Sequence, residues 1–190
     1  IKHLFRFTKR QDHPDLTVLS VYRDHGVLEK SSRDDNHNRT PEDLTTYQLV
    51  NVGDLVINKM KAWQGSLGVA TLTGITSPDY VVYESQNNEN LRFIHHLLRT
   101  PLMASTYHTI SNGIRPDQWR LEPEKFELVS VYLPPKEEQH RIVCVIEEET
   151  RRIDLLSEKV TEAVEKLREY RTALISAAVT GKIDVREEAG

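Results

Sequence analysis

An apolar residue recurs at every seventh position through the C-terminal third of the chain, and this period constrains the fold more than any other feature. The first line of the repeat consists of Ile146, Ile153, Val160, Leu167 and Leu174. A second line is offset by three positions and interrupted only by Glu149; it consists of Ile142, Leu156, Ala163, Tyr170 and Ala177. A strict seven-residue period is typical of a helix that pairs with another helix in a left-handed supercoil. Because no second segment of this chain matches the pattern, we expect the partner helix to lie on another molecule or on a part of the protein outside this sequence.

The segment that carries the repeat has the boundaries of a single helix. Residues 136–180 contain neither proline nor glycine, while Pro135 precedes them and Gly181 follows. Proline near the start and glycine just past the end are typical of helix termini. At 1.5 Å per residue, a helix over residues 136–181 would be roughly 67 Å long. Residues 182–190 are predicted to be a polar tail.

The first 135 residues predict a different kind of structure. Short β-branched runs predict strands at residues 16–22, 55–59, 79–83 and 126–133. Helical spacing over 91–108 predicts a helix that Pro101 ends or bends. Thr40 and Pro41 suit the start of a short helix, and residues 74–78 are predicted to break the chain. The sequence therefore predicts an α+β protein, with a mixed, strand-rich globular domain over 1–135 and a long, coiled-coil-forming helix over 136–181.

Composition narrows the class of protein. The 190 residues are 38% hydrophobic, which suits one globular domain plus an extension. The net charge is −4 and the pI is near 6.1, so any surface that attracts nucleic acid must be a local basic patch. Cys144 is the only cysteine, so no disulfide forms within the chain and a cytoplasmic location is expected. No apolar run approaches the roughly 20 residues of a membrane span, and we expect no membrane partner.

Five segments of the chain form a recognisable series. They are LSVYRDHG at 19–26, GDLVINKMKAWQGSLG at 53–68, SPDY at 77–80, LPPKEEQHRI at 133–142 and YRTALISAAVTGKI at 170–183. Together they resemble the specificity subunits of type I restriction-modification systems. The first three segments resemble parts of a target-recognition domain, and the last two resemble the beginning and end of a conserved-region helix. The resemblance extends from about residue 16 to residue 185.

This resemblance implies a role and a set of partners. Subunits of that family contain two recognition domains, each followed by a helix, and the two helices pair antiparallel. One domain and one helix imply half a subunit, and the ending Thr-Gly-Lys-Ile at 180–183 favours the C-terminal half. Such a half would read one part of a bipartite target in double-stranded DNA, and its helix would pair with a second half-subunit or a second copy and dock the methyltransferase subunits. It would bind no cofactor, since S-adenosylmethionine and ATP belong to the methyltransferase and restriction subunits.

Residues 58–66 contain the mixture of side chains that a DNA-reading surface requires. Lys59 and Lys61 suit phosphates, and Asn58 and Gln64 suit base edges. Trp63 suits stacking or wedging, and Gly65 permits a close backbone approach. In the alternative interpretation Trp63 belongs to the core and the two lysines are solvated.

Two further stretches are candidates for DNA contact. Arg115 and Asn112 could read guanine and adenine by bidentate hydrogen bonds, although Asn-Gly at 112–113 is equally suited to a plain tight turn. Arg23, Asp24 and His25, which follow the first predicted strand, form the third candidate. The polar residues 30–39 are interpreted as a solvated loop.

Motifs of stand-alone enzymes are missing from the sequence. LPPK at 133–136 lacks the polar first residue and the aromatic last residue of an adenine-methyltransferase loop, and no glycine-rich or phosphate-cradling loop is present. His95 and His96 are adjacent and cannot form a metal pair on one helix face. Together with these missing motifs, the resemblance implies a non-catalytic DNA-recognition module. The alternative is a structural or interaction protein with a globular head on a dimerising coiled coil.

Overall fold

The computed structural model of the chain describes residues 1–33, 39–114 and 119–183. Its strands are β1 (Phe5–Thr8), β2 (Leu19–Tyr22), β3 (Gly26–Glu29), β4 (Gln48–Val50), β5 (Leu55–Asn58), β6 (Leu67–Val69), β7 (Gly74–Thr76), β8 (Tyr80–Ser85), β9 (Ser111–Asn112) and β10 (Arg120–Leu121). Its α-helices are α1 (Leu91–Leu98), α2 (Pro101–Thr109), α3 (Pro123–Glu127) and α4 (Lys136–Val179). Short 3-10 helices cover Lys30–Ser32 and Ala62–Gln64. The predicted α+β class and the long C-terminal helix are both confirmed.

The chain divides into two compact units. Residues 1–140, which we call the head, form the first unit, and the chain from Arg141 onward forms the second. All strands of the described residues lie in the head, together with α1, α2, α3 and the first turn of α4. The two units are therefore described separately below.

A four-stranded antiparallel sheet with the order β1-β8-β5-β6 forms the centre of the head. Leu55, Val56 and Ile57 of β5 are fully buried, because β8 and β6 pair with β5 on its two sides. Two further antiparallel pairs, β2–β3 and β4–β7, supply apolar residues to the same core. That core cluster comprises Leu19, Val21, Val27, Val50, Val56, Ala70 and Val82.

A second part of the core is a cluster of aromatic side chains, formed by Tyr83, Tyr107 and Phe126. Phe126 is fully buried, and its ring centroid lies 5.7 Å from that of Tyr83 and 5.6 Å from that of Tyr107. The Tyr107 hydroxyl donates to the Leu98 carbonyl oxygen at 2.9 Å, so its burial leaves no unsatisfied hydrogen bond. Burial raises the pKa of both tyrosines, which therefore remain protonated hydrogen-bond donors.

The helical region predicted over 91–108 is confirmed, and Pro101 divides it. Asn90 caps α1 by accepting from the Arg92 and Phe93 N–H groups. Thr100 caps α2, and Pro101 occupies its first turn, where a missing N–H costs nothing. The break therefore separates two short helices rather than bending one.

Three local predictions were wrong. Residues 126–133 were expected to form a strand, but Phe126 lies in α3, which begins at Pro123, and residues 128–133 are irregular. Residues 74–78 were expected to break the chain, but Gly74–Thr76 is β7, paired with β4. No helix begins at Thr40, because the hydroxyl and N–H groups of Thr45 donate to Asp43 and make a turn instead. In each case contacts distant in sequence or side-chain hydrogen bonds outweighed local propensity.

The first turn of α4 is fixed to the head by a buried glutamine. Gln139 accepts from the Asn90 N–H at 3.0 Å and donates to the Glu89 carboxylate at 2.6 Å and the Pro134 carbonyl at 2.8 Å. Its side chain is fully buried, so all of these bonds form away from water. Asn90 therefore serves two helices, since its side chain caps α1 while its backbone binds the start of α4.

The remainder of α4 exposes the predicted pairing residues. Ile142, Ile146 and Ala177 are half-buried, whereas the repeat positions between them are exposed; these are Ile153, Leu156, Val160, Ala163, Leu167, Tyr170 and Leu174. A single helix cannot remove this apolar line from water. Within the described ranges, no helix combines the length and hydropathy needed to cross a bilayer.

Candidate nucleic-acid interface

The turn between β5 and β6, residues 58–66, has a well-defined backbone. The Asn58 Oδ1 atom accepts from the Met60 N–H at 3.1 Å, and the Asn58 carbonyl accepts from the Lys61 N–H at 3.1 Å. Gly65 closes the 3-10 helix with φ at 87°, and its N–H donates to the Ala62 carbonyl at 2.8 Å. This left-handed conformation favours glycine, which explains Gly65 locally. The turn therefore presents its side chains from a hydrogen-bonded backbone.

Trp63 is half-buried and packs against two other rings. Its Nε1–H donates to the Met60 carbonyl at 3.1 Å. Its ring centroid lies 5.7 Å from that of Trp119 and 6.0 Å from that of His108, both in edge-to-face geometry. The indole thus packs against neighbouring rings through part of its surface, while the rest lines an open cleft.

A cleft of about 860 Å³ lies beside this turn, and we call it the basic cleft. Asn58, Lys61 and Gln64 line one side of it. Its charged lining residues are Arg23, Lys30, Arg39, Lys61 and Asp79. Among the residues that the structure describes, four cations and one carboxylate therefore line the cleft, although the whole chain has a net charge of −4. Such a concentration of one sign in a concave surface attracts a polyanion.

Tyrosines form much of the wall of the basic cleft. Tyr22, Tyr47 and Tyr80 all line it, and the Tyr80 hydroxyl lies 3.1 Å from the Ser20 hydroxyl. Burial raises the pKa of Tyr47, and Tyr80 and Asp79 raise it further. At neutral pH the cleft therefore contains phenolic O–H donors in addition to its cations.

A second cleft, of about 620 Å³, lies on the other side of Gln64 and Gly65. Arg23 and Gln64 line both clefts, and Arg99 from α1 contributes to the second. The Gln64 side chain is exposed and makes no hydrogen bond to any residue in the described part of the chain. A free carboxamide between two open clefts has the donor and acceptor pair that adenine recognition requires.

Other residues predicted to contact DNA lie outside the two clefts or outside the described part of the chain. Asn112, on β9, donates its amide to the Glu122 carboxylate, and Arg115 lies outside the described residues. β9 pairs with β10, and this pair adjoins the 58–66 turn because the Leu121 N–H of β10 donates to the Lys59 carbonyl at 2.9 Å. His25 is exposed in the β2–β3 turn; neither His25 nor Lys59 lines either cleft.

The sequence interpretation missed several cleft residues. Lys30, Arg39 and Asp79 come from loops that no local pattern associates with residues 58–66. Lys30 and Arg39 bound the stretch interpreted as solvated, and Lys30 donates to the Thr40 hydroxyl at 2.8 Å. The available signal was the SPDY segment at 77–80, which the resemblance included without assigning it a role.

Metal chemistry finds no support in the described ranges. No three His, Cys, Asp or Glu side chains there lie close enough together to hold a metal ion. His95 instead accepts from the Val69 N–H at 3.2 Å through Nδ1. Burial lowers its pKa to about 4, and Arg99 and His96 contribute to the shift, so the imidazole is neutral at pH 7.

Comparison with solved structures identifies a related fold. A chain from a structure described as the structural basis of complex assembly and conformational transition of the type I R-M system superposes with a TM-score of 0.55 and 13% sequence identity. The match covers 96% of this chain and 50% of that chain, so this chain spans about half its length. No protein-family model matches the sequence, and no curated protein matches it. At this identity the likeness shows the fold alone, which is that of a chain in a type I restriction-modification complex.

Proposed function

We propose that this chain is a non-catalytic DNA-recognition module of a type I restriction-modification enzyme. The observation that carries the proposal is the basic cleft, where Arg23, Lys30, Arg39 and Lys61 surround a rigid turn on a chain of net negative charge. The related fold supports it, since a chain of a type I complex matches this fold over about half of its own length. Phosphates would pair with the cations, and Gln64 and Asn58 would reach base edges.

The long helix has a separate role in this proposal. Its exposed apolar line pairs with the corresponding helix of a second half-subunit or of a second copy, so that two recognition modules read the two parts of a bipartite target. Methyltransferase subunits dock on the paired helices, and the restriction subunit joins that assembly. If two identical copies pair, their two-fold symmetry requires a palindromic target.

Binding to duplex DNA at several salt concentrations tests the proposal. Duplexes selected from a random pool would be titrated with the chain alone and with the methyltransferase subunit. If the four cations of the basic cleft each neutralise one phosphate, the logarithm of affinity falls with the logarithm of salt with a slope of about −3.6. Affinity would then fall by about 150-fold between 50 and 200 mM salt. Binding that is absent at every salt concentration, with and without the methyltransferase subunit, would favour the structural-protein alternative.

Two substitutions separate affinity from specificity. Lys61→Ala removes one phosphate contact, so the salt slope becomes shallower by about 0.9 for every sequence tested. Gln64→Ala preserves the slope but lowers discrimination at one base pair by about 1–3 kcal/mol. Lys9→Ala is the matched control, since Lys9 is an exposed lysine that lines neither cleft. An equal effect of Lys9→Ala and Lys61→Ala would show that binding does not use the cleft.

A further inference from the structure

One guanidinium connects the β2–β3 turn with the 58–66 turn. Arg99, at the end of α1, donates from Nη1 to the Leu67 carbonyl at 2.9 Å and from Nη2 to the Arg23 carbonyl at 2.6 Å. Leu67 directly follows the 58–66 turn, and Arg23 directly follows β2. The planar fork of a guanidinium fixes the directions of its two outer nitrogens. It therefore fixes the separation of two turns that are distant in sequence.

A histidine one helical turn earlier packs into the same junction. A Cβ atom on Gly26 would lie 2.7 Å from the His95 Cε1 atom, and one on Gly68 would lie 3.2 Å from the Gly26 Cα atom. The β2–β3 hairpin and β6 therefore approach each other backbone to backbone at Gly26 and Gly68. The His95 ring lies between these two backbones and α1. Gly26 also has φ at 78°, where other residues are strained. The junction consequently has little space in which to adjust.

The bonds of Arg99 indicate a geometric role rather than an ion pair. Burial lowers the pKa of Arg99, and Asp24 opposes that shift. An arginine nevertheless stays charged at neutral pH. Its two recorded hydrogen bonds reach backbone carbonyls, so its effect falls on the backbone of the two turns. Arg23 and Gln64, the two residues that line both clefts, project from the segments that these bonds join.

We propose that Arg99 is a positioning residue that sets the two DNA-reading turns at a fixed separation, so that Arg23 and Gln64 meet a duplex as one unit. This inference rests on the proposed function for its DNA part. Arg99 acts through the two carbonyls, and its effect falls on recognition of the preferred sequence rather than on general attraction to DNA. A mobile pair of turns would still carry the same charges but would lose the fixed geometry that base contacts require.

Arg99→Lys is the decisive variant, because it keeps the charge and removes the fork. A compact ammonium on a shorter side chain cannot reproduce the two directed bonds of the guanidinium. Arg92→Lys makes the same change at an exposed position of the same helix and is the matched control. Arg99→Gln, which retains a planar amide able to serve one carbonyl, provides a second variant in case Arg99→Lys does not fold.

Hydrogen exchange of the free protein gives the first measurement and requires no DNA. Peptides covering residues 19–29 and 58–68 should exchange about 10-fold faster in Arg99→Lys than in the wild type. A peptide covering β8 should exchange at the wild-type rate, and Arg92→Lys should change none of the three. Unchanged exchange in 19–29 and 58–68 would overturn the positioning role.

Affinity for the selected duplex and for a scrambled duplex gives the second measurement. Arg99→Lys should weaken binding to the selected duplex about 10-fold and leave the scrambled duplex and the salt slope unchanged. Faster exchange with full affinity for the selected duplex would overturn the link to recognition. Faster exchange in a protein whose wild type binds no DNA would support Arg99 as the connection between the turns and would overturn the proposed function instead.

Discussion

The head and the long helix use their apolar residues in opposite ways. In the head, Leu55, Ile57, Tyr83 and Phe126 are excluded from water by strands and helices of the same unit. Among the described residues 141–183, Val143 is the only one that is buried, while Val160 is 60% exposed and Leu167 is 66% exposed. The head therefore contains the interactions that stabilise it, whereas from Ile153 to Leu174 the helix presents an apolar line that nothing in the described chain covers.

This difference separates two kinds of stability. Burial of apolar surface within one unit does not depend on concentration, whereas burial between molecules does. In proteins most of the stability of a helix comes from packing of its apolar face rather than from intrinsic propensity. The head should consequently unfold at a denaturant concentration independent of protein concentration, and the helix should gain order as its partner is supplied.

The largest effect is expected from Phe126→Ala in the head. The ring is fully buried between Tyr83 and Tyr107, so its removal leaves a cavity and should cost about 3–5 kcal/mol of unfolding free energy. Urea unfolding followed by tryptophan fluorescence measures it, since both tryptophans, Trp63 and Trp119, lie in the head. Leu156→Ala in the helix is the control and should leave this transition within about 0.5 kcal/mol. Equal shifts would mean that the two regions do not unfold independently.

The next effect concerns pairing of the helix. Val160→Glu places a carboxylate in the repeat line, so two charges would be buried in a pair of identical helices. Self-association measured by sedimentation equilibrium should weaken by about 1,000-fold, which is about 4 kcal/mol.

Thr161→Glu places the same charge one position away, on the side of the helix that faces away from the repeat, and is the matched control. It should change association by less than 10-fold. A wild-type chain that stays monomeric at every concentration would contradict pairing of identical copies and direct attention to a different half-subunit.

The sequence predicted the long helix better than it predicted the clefts. The period of α4 is local, so Lys136–Val179 could be located from spacing and from Pro135 and Gly181. The basic cleft depends instead on Arg39 and Asp79 meeting residues 58–66 through the tertiary fold. No local pattern marks Arg99 or Gln139, since each acts by hydrogen bonds to segments far away in the chain. Phe126 was misassigned for a different reason, because its apolar neighbours suggested a strand while the nearby Pro123 began a helix.

Acid should weaken the head more than the helix. Burial lowers the pKa of His95 from 6.5 to about 4, with Arg99 and His96 adding to the shift. Between these values the unfolded chain binds a proton that the folded chain does not, so unfolding free energy falls as pH decreases from about 6.5 to about 4. We expect a loss of about 2 kcal/mol across this window, after allowance for partial exposure of the ring.

Urea titrations at pH 7, pH 5 and pH 4 follow this loss, and His95→Gln should show a smaller pH dependence than the wild type. No histidine follows His140, so helicity of the isolated long segment should respond weakly over the same range. Identical pH dependence in His95→Gln and the wild type would assign the acid sensitivity to another group in the head.

The smallest effect is expected from an ion pair on the helix surface. Glu162 and Lys166 lie four residues apart with 2.7 Å between Oε1 and Nζ, but their side chains are 62% and 72% exposed. Water and salt screen such a pair, so Glu162→Gln should cost about 0.3–0.5 kcal/mol, and less at high salt. A double-mutant cycle with Lys166→Gln, followed by circular dichroism at two salt concentrations, isolates the pair.

A coupling above about 1.5 kcal/mol would mean that surface charges stabilise the helix substantially by themselves, and the apolar line would then not require a partner to keep the segment ordered. A coupling near the expected value leaves burial of that line as the main source of helix stability, which is the contrast with the head.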